Sequence, residues 1–149
     1  MCASLAISVP LFSTENKEKI KICISNLLGV IPEFEERKIL NNTLLEAQNL
    51  PISGLEKFFN YIRKVEILDA VRYCAILDFK RNSVVLNFHK QALFAKKFAV
   101  ITADTSSPLG NVELSIKGKN PEKILDWLAP QTVEGRETRR IEFNEINNL

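Results

Sequence analysis

Three stretches of the chain alternate apolar and polar residues, the pattern of a strand with one buried face. They cover residues 5–11, 84–88 and 112–116. Most of their apolar positions are β-branched or leucine, and β-branching favours the same assignment. Residues 98–103 predict a further strand, and the mixed apolar and charged residues 33–48 predict one long, bent and partly exposed strand.

Between the strands, apolar residues recur every three or four positions, as they do on the buried stripe of a helix. The first helix is expected after Thr14, whose hydroxyl can cap it, and is expected to end at Gly29. Ser53 and Glu56 have the spacing of a capping box, in which each side chain bonds a backbone amide of the other residue. The helix that this box opens is predicted to bury Leu55, Phe58, Phe59 and Ile62. Further helices are predicted over residues 68–75, over residues 90–96 and after Asn120-Pro121-Glu122.

The order of these elements, β-α-β-α-α-β-α-β-β-α, predicts an α+β fold with an antiparallel sheet. A chain of 149 residues is the size of one domain. We expect that domain to span residues 1–131 and to be followed by a loosely held polar tail over residues 132–149.

The Thr-Ser-Ser-Pro-Leu-Gly stretch, residues 105–110, has both a functional and a structural interpretation. Its serines and glycine suggest a phosphate-binding loop or a nucleophile, but neither a GxxxxGK nor a GxSxG pattern surrounds them. Pro108 and Gly110 instead suit a tight turn before an alternating strand. The sequence therefore predicts a hairpin bend at Ser107–Gly110.

The cysteines and the N-terminus bear on the cellular compartment. Cys2, Cys23 and Cys74 form neither an even framework nor a CxxC pattern, so we expect two buried thiols and one terminal thiol in a reducing cytoplasm. No apolar run approaches the roughly 20 residues that span a bilayer. The N-terminus also lacks the basic region that opens a secretion signal. We therefore expect a cytoplasmic protein with no membrane partner.

The ionisable residues do not form a recognisable catalytic group. His89 is the only histidine, so one chain cannot build a two-histidine metal site, and any Ser-His-Asp or Cys-His arrangement would have to use this residue. Glu33, Glu35 and Glu36 are typical of a solvated strand edge, where charge guards against aggregation. We therefore expect a non-catalytic protein without catalytic, metal-binding or cofactor-binding residues and without a small-molecule ligand.

One basic segment keeps RNA binding open as an alternative. Residues 79–103 contain no acid but five cations, which are the candidate RNA contacts Lys80, Arg81, Lys90, Lys96 and Lys97. Phenylalanines at positions 79, 88, 94 and 98 interleave with them, and phosphate attraction combined with base stacking needs such a mixture. The other interpretation is a phenylalanine core with a solvated lysine rim, which the small net charge of +2 favours.

The open face of the predicted sheet favours a protein partner over RNA. If the apolar positions of the alternating strands face the helices, the opposite face carries Ala6, Ser8, Val85, Asn87, Glu113 and Ser115. That face has no aromatic residue for base stacking and almost no positive charge. Such a surface suits a protein partner, including a second copy of the chain in a homodimer.

Several segments, taken in order, resemble an uncharacterised conserved protein family of archaea. They are Ile67-Leu68-Asp69-Ala70, residues 86–92, Ser107-Pro108-Leu109-Gly110 before an alternating strand, and Asp126-Trp127-Leu128-Ala129-Pro130 at a helix end. The resemblance implies a fold like that of the large-subunit ribosomal protein that binds 5S rRNA, with about five antiparallel strands and about five helices mainly on one face. The family carries no established activity, so the resemblance assigns no residue roles, and an RNA-binding function would rest on fold analogy alone.

Overall fold

The structure, a computed structural model, describes residues 3–40, 42–102 and 110–149. Within these ranges the chain forms nine strands, five α-helices and two 3-10 turns, at Ile52–Leu55 and Phe143–Asn148. The strands are β1 Ser4–Leu11, β2 Glu35–Ile39, β3 Asn42–Pro51, β4 Ile76–Asp78, β5 Ser83–His89, β6 Val100–Ile101, β7 Asn111–Lys117, β8 Thr132–Val133 and β9 Arg136–Glu137. The helices are α1 Lys17–Leu28, α2 Glu56–Lys64, α3 Leu68–Cys74, α4 Lys90–Phe94 and α5 Pro121–Leu128.

A seven-stranded antiparallel sheet organises the described residues. Its strand order is β2-β3-β1-β7-β5-β4, and the short β6 also pairs with β5. At its centre Leu114 of β7 lies opposite Ile7 of β1 and Leu86 of β5. All three side chains are at most 2% exposed, because the helices cover this face of the sheet. The predicted single α+β domain is confirmed.

The helices cover the sheet with the apolar stripes that the sequence predicts. Phe58 and Ile62 of α2 are fully buried. The Phe58 ring meets the ring of Phe88 edge-on, with 5.2 Å between centroids, and the ring of Phe98 at 5.7 Å. Edge-to-face aromatic pairs add about 0.5–1.5 kcal/mol to the burial of their surface. This aromatic cluster therefore fixes α2 over the middle of the sheet.

Residues 33–48 form a hairpin, so the prediction of one long bent strand is wrong. The chain reverses between β2 and β3, where Leu40 has φ +53° in the left-handed region. The sequence carries a turn signal at this reversal, Asn41-Asn42 directly after Leu40, which the prediction of one strand did not use. Because charged and apolar residues are mixed over residues 33–48, the two strands were predicted as one.

Two of the predicted helix caps are wrong in detail. Asn16, not Thr14, caps α1 by accepting a hydrogen bond from the Glu18 amide at 2.8 Å. The capping box at Ser53 and Glu56 does not form, because Pro51 leads into a 3-10 turn in which the Ser53 carbonyl accepts the Glu56 amide. The predicted end of α1 at Gly29, with φ +78°, is confirmed.

The C-terminal residues pack against the core instead of forming a loosely held tail. Ile141 and Ile146 are 8% and 3% exposed. The indole N–H of Trp127 donates to the carbonyl of Phe143 at 3.1 Å, and the Phe143 ring packs on the Trp127 ring. This attachment was missed because a few scattered apolar residues in a polar segment carry little periodic signal.

Two further points concern strand β4, which was not predicted, and the predicted hairpin bend. The strand β4 lies between α3 and β5, where no strand was predicted, and three residues are too short for a visible alternation. The bend predicted at Ser107–Gly110 lies outside the described residues except for Gly110. That glycine has φ +75°, and a Cβ at its position would approach Pro10 Cγ to 2.6 Å.

Candidate functional site

The five cations of the basic segment do not lie together. Lys80 and Arg81 occupy the turn between β4 and β5, whereas Lys96 and Lys97 follow α4 at the other end of β5. Seven strand residues at about 3.3 Å each place roughly 20 Å between these pairs. Lys90 is only 4% exposed, so it is not available to a phosphate in this conformation.

The phenylalanines of this segment divide between core and surface. Phe88 and Phe98 are buried on the helix side of the sheet. Phe79 and Phe94 are exposed, but they lie at opposite ends of β5, as the cations do. The mixture of aromatic and basic residues in the sequence therefore does not form one continuous stacking surface in the fold.

His89 has a structural role in the described part of the chain. Its Nδ1 accepts the Ala92 amide at 3.3 Å, which makes the imidazole the N-cap of α4. No carboxylate or thiol among the described residues hydrogen-bonds to His89. The arrangement needed for acid–base or nucleophilic catalysis is therefore not seen at this position.

A buried ion pair, which the sequence analysis missed, lies between α4 and the start of α1. Lys90 Nζ is 2.9 Å from Glu15 Oε1 and donates to the Pro10 carbonyl at 2.6 Å. Burial lowers the pKa of the Lys90 ammonium, although the contact with Glu15 opposes this effect. The pair fastens the turn after β1 to α4, and no local sequence pattern reveals two partners 75 positions apart.

Cys23 lies beside this ion pair at a cleft of about 340 Å³ between α1 and α4. Its thiol donates to the Lys90 carbonyl at 3.4 Å, and burial raises the pKa of that thiol. A raised pKa disfavours the reactive thiolate, so Cys23 is a core thiol as predicted. Cys74 is partly buried, and Cys2 lies outside the described residues.

The outer face of the sheet is more charged than the sequence analysis expected. Ser8, Val85 and Ser115 line a groove of roughly 270 Å³ on this face, as their alternation predicted. Three cations and three acids also line the groove, namely Arg37, Arg81, Lys117, Glu46, Asp78 and Glu113. The expectation of almost no positive charge is wrong, because Arg37 and Arg81 come from an edge strand and a turn that were not assigned to this face. The two signs of charge are balanced there.

The β2–β3 hairpin is the least buried part of the sheet. Every residue of β2 is exposed, so this strand has no buried face. β2 is also the terminal strand of the sheet, and its outer edge pairs with no described strand. Two ion pairs hold it to the domain, Lys17 with Glu36 and Arg37 with Glu46. At the end of the hairpin, Leu40 is 97% exposed.

A cleft of roughly 690 Å³ lies between α2 and the C-terminal segment. Its four arginines carry acidic partners. Arg63 bonds Glu137 at 3.0 Å, and the other pairs are Arg136 with Glu66, Arg139 with Glu145, and Arg140 with Glu142. Because these charges compensate one another, the cleft does not attract an anion strongly.

Residues 3–40, 42–102 and 110–149 lack two further classes of feature, a membrane span and a metal site. No helix there is both long enough and apolar enough to cross a membrane. The same ranges contain no group of three His, Cys, Asp or Glu side chains placed to hold one metal ion.

Comparison with known proteins places the chain in a family. No family model matches it. A UPF0201 protein of Saccharolobus solfataricus is 33% identical over 124 residues, which cover 82% of this chain and 83% of that protein. The chain belongs to the UPF0201 family. A UPF0201 protein of Metallosphaera sedula is 27% identical over 134 residues, or 89% of this chain and 91% of that protein.

Solved UPF0201 structures have the same fold. The crystal structure of a UPF0201 protein from Methanococcus jannaschii matches with a TM-score of 0.71 at 21% identity, covering 91% of this chain and 99% of that one. Mth689, a DUF54 protein from Methanothermobacter thermautotrophicus, matches with a TM-score of 0.59 at 19% identity, covering 82% and 90% of the two chains. The predicted membership of an uncharacterised archaeal family is confirmed. The names of these relatives state no activity.

Proposed function

We propose that this UPF0201 protein is a non-catalytic binding module that engages another protein through the open edge of strand β2. The observation that carries the proposal is a strand of five residues, Glu35–Ile39, with both faces exposed and one edge unpaired among the described strands. An edge strand offers a row of backbone donors and acceptors, and an extended partner can add to it as a further strand.

Strand β2 lacks the buried face that usually stabilises a strand. Strands gain most of their stability by burying one face, and β2 buries neither. The exposed ion pairs of Lys17 and Arg37 contribute about 0–1 kcal/mol each. A partner strand would supply the backbone pairing and the cover that the domain itself does not supply to β2.

The charges on β2 do not prevent a partner strand from binding, but they restrict the charges that such a strand can carry. Charged residues protect edge strands from indiscriminate pairing. β2 carries two acids followed by two bases, Glu35, Glu36, Arg37 and Lys38, so an uncharged apolar strand would leave these charges unmatched. A strand with complementary charges would satisfy them.

RNA binding is less well supported than protein binding. Its candidate contacts Lys80, Arg81, Lys96 and Lys97 divide between two ends of β5, and Lys90 is buried. The similarity to the ribosomal protein that binds 5S rRNA, and the RNA binding that it suggests, stay predictions.

Site-directed cross-linking tests the proposal. Lys38→Cys in a Cys2→Ser background would be labelled with a benzophenone maleimide and photolysed in an extract of the source cells. We expect protein adducts, including any adduct with the protein's own chain, at position 38. The matched control is Lys123→Cys, because Lys123 is exposed on α5 and far from β2 in the sequence. Equal adduct formation at both positions would remove β2 as the binding edge.

A further inference from the structure

Leu40 combines two unfavourable properties at the end of the β2–β3 hairpin. Its backbone has φ +53°, a conformation that glycine and asparagine adopt readily and that strains most other residues. Its side chain is 97% exposed, so it contributes no burial to the domain that would offset this strain. Neither the turn nor the core of a single copy gains from leucine at this position.

Six non-glycine residues among those that the structure describes have positive φ, and Leu40 is the only apolar one. A strained residue that the domain itself does not need supports a hypothesis of function. Further exposed apolar side chains lie in the loop before β2 and at its end. Val30 is 59%, Ile31 54% and Ile39 45% exposed. The charged residues of β2 are therefore flanked by exposed apolar residues on both sides.

We infer that the partner of β2 is a second copy of the same chain and that Leu40 is the anchor of this contact. The inference rests on the proposed function of β2. The two β2 strands pair antiparallel about a two-fold axis at Arg37, which extends the sheet across both copies. Leu40 of each copy then lies opposite the second copy's Phe34, with the second copy's Ile31 close by along the chain.

The two-fold symmetry and the residue that lies opposite Leu40 select this register. Directly opposed residues of an antiparallel pair share a face, so the axis must pass through a residue of β2 and not between two residues. Centred on Arg37, the pairing sets Glu36 against Lys38 twice and opposes the two Arg37 side chains, each of which has Glu46 as its counter-charge at 3.3 Å. Centred on Glu36, it would set Arg37 against Glu35 twice and oppose the two Glu36 carboxylates, each paired with Lys17, so charge alone does not separate the two registers. That register would, however, set Leu40 against Pro32, which lacks a backbone donor.

The size of the contact sets the expected affinity. One strand pair with two apolar anchors lies at the low end of specific interfaces, which is the range of weak and transient complexes. We therefore expect a dissociation constant on the order of micromolar, measurable by sedimentation equilibrium of the full chain from about 1 to 500 μM.

The deciding variant is Leu40→Asn. Asparagine tolerates the left-handed backbone, so we expect this variant to be at least as stable to heat as the wild type, and at least tenfold weaker in self-association. Val133→Asn is the matched control, because Val133 is 64% exposed in the separate β8–β9 hairpin. We expect it to leave self-association unchanged.

A charge exchange tests the register independently. Glu36→Lys and Lys38→Glu should each weaken self-association, because like charges then face each other, and an equimolar mixture of the two variants should recover it. A wild type that stays monomeric to 500 μM would overturn the inference of a second copy. Adducts of another protein at position 38 would in that case leave the proposed function standing. Self-association unaffected by Leu40→Asn and by both charge variants would place the contact between copies elsewhere and overturn this inference, whereas the proposed function of β2 is decided by the cross-linking at position 38.

Discussion

Lys90 Nζ lies 2.9 Å from Glu15 Oε1, with the two side chains only 5% and 10% exposed. The pair joins the first residue of α4 to the turn before α1, and the Lys90 ammonium also donates to the Pro10 carbonyl. It therefore links two segments that are far apart in the chain. A buried charge that loses its counter-charge destabilises a fold more than an exposed one does.

We predict that Glu15→Gln lowers the free energy of unfolding by about 3–5 kcal/mol, because the Lys90 ammonium stays buried without a carboxylate. Lys90→Met should cost a comparable amount, because it leaves the Glu15 carboxylate, only 10% exposed, without its counter-charge. Urea denaturation at neutral pH measures both. Glu18→Gln is the control, because Glu18 makes only an exposed contact with Lys21 at 3.7 Å and should change stability by less than about 0.5 kcal/mol. Equal losses in Glu15→Gln and Glu18→Gln would contradict the prediction.

Arg63 links α2 to α5 and to the C-terminal segment, and we predict that it contributes strongly to stability. Its guanidinium lies 3.6 Å from the centroid of the Phe59 ring and donates to the Trp127 and Leu128 carbonyls at 2.9 and 3.0 Å. Arg63→Lys keeps the charge but loses this planar fork, so we expect a loss of about 2 kcal/mol in the free energy of unfolding. Arg140→Lys, at a side chain 85% exposed, should stay within about 0.5 kcal/mol.

Removal of residues 132–149 tests whether the C-terminal segment belongs to the domain. Trp127 is the only tryptophan and is 3% exposed beneath Phe143, so its fluorescence responds to the loss of the segment that covers it. We expect the chain ending at Gln131 to emit at longer wavelength and to unfold at lower temperature than the full chain. An unchanged emission maximum and midpoint would restore the idea of a loosely held tail.

The separation of the basic side chains predicts that RNA binds weakly and that its affinity depends little on salt concentration. With at most two cations reaching one strand from either end of β5, the log–log salt slope should be about −1.4, from roughly 0.7 per contact. Fluorescence anisotropy with a labelled single-stranded oligoribonucleotide measures it, and Lys96→Gln/Lys97→Gln should change the affinity little. A slope near −3 that this double substitution abolishes would contradict the separation.

The local patterns of the sequence predicted the elements that depend on near neighbours. The alternation of β1, β5 and β7 predicted their buried faces, and Asn120-Pro121 predicted the start of α5. Gly29 likewise predicted the end of α1. These features follow from periodicity and from single-residue backbone preferences, both of which act within a few residues. The family resemblance came from the order of such local motifs.

The tertiary structure alone decided which distant groups meet. The sequence grouped Lys90 with four other cations, but the fold buries it against Glu15, since an ion pair between positions 75 apart depends on how α4 packs. The β2–β3 hairpin is a different case, because Asn41-Asn42 after Leu40 is a local turn signal that the prediction of one strand over residues 33–48 did not use. The exposure of Leu40 depends on where the hairpin ends relative to the domain. Burial and long-range pairing are properties of the packed chain, and a one-dimensional pattern does not contain them.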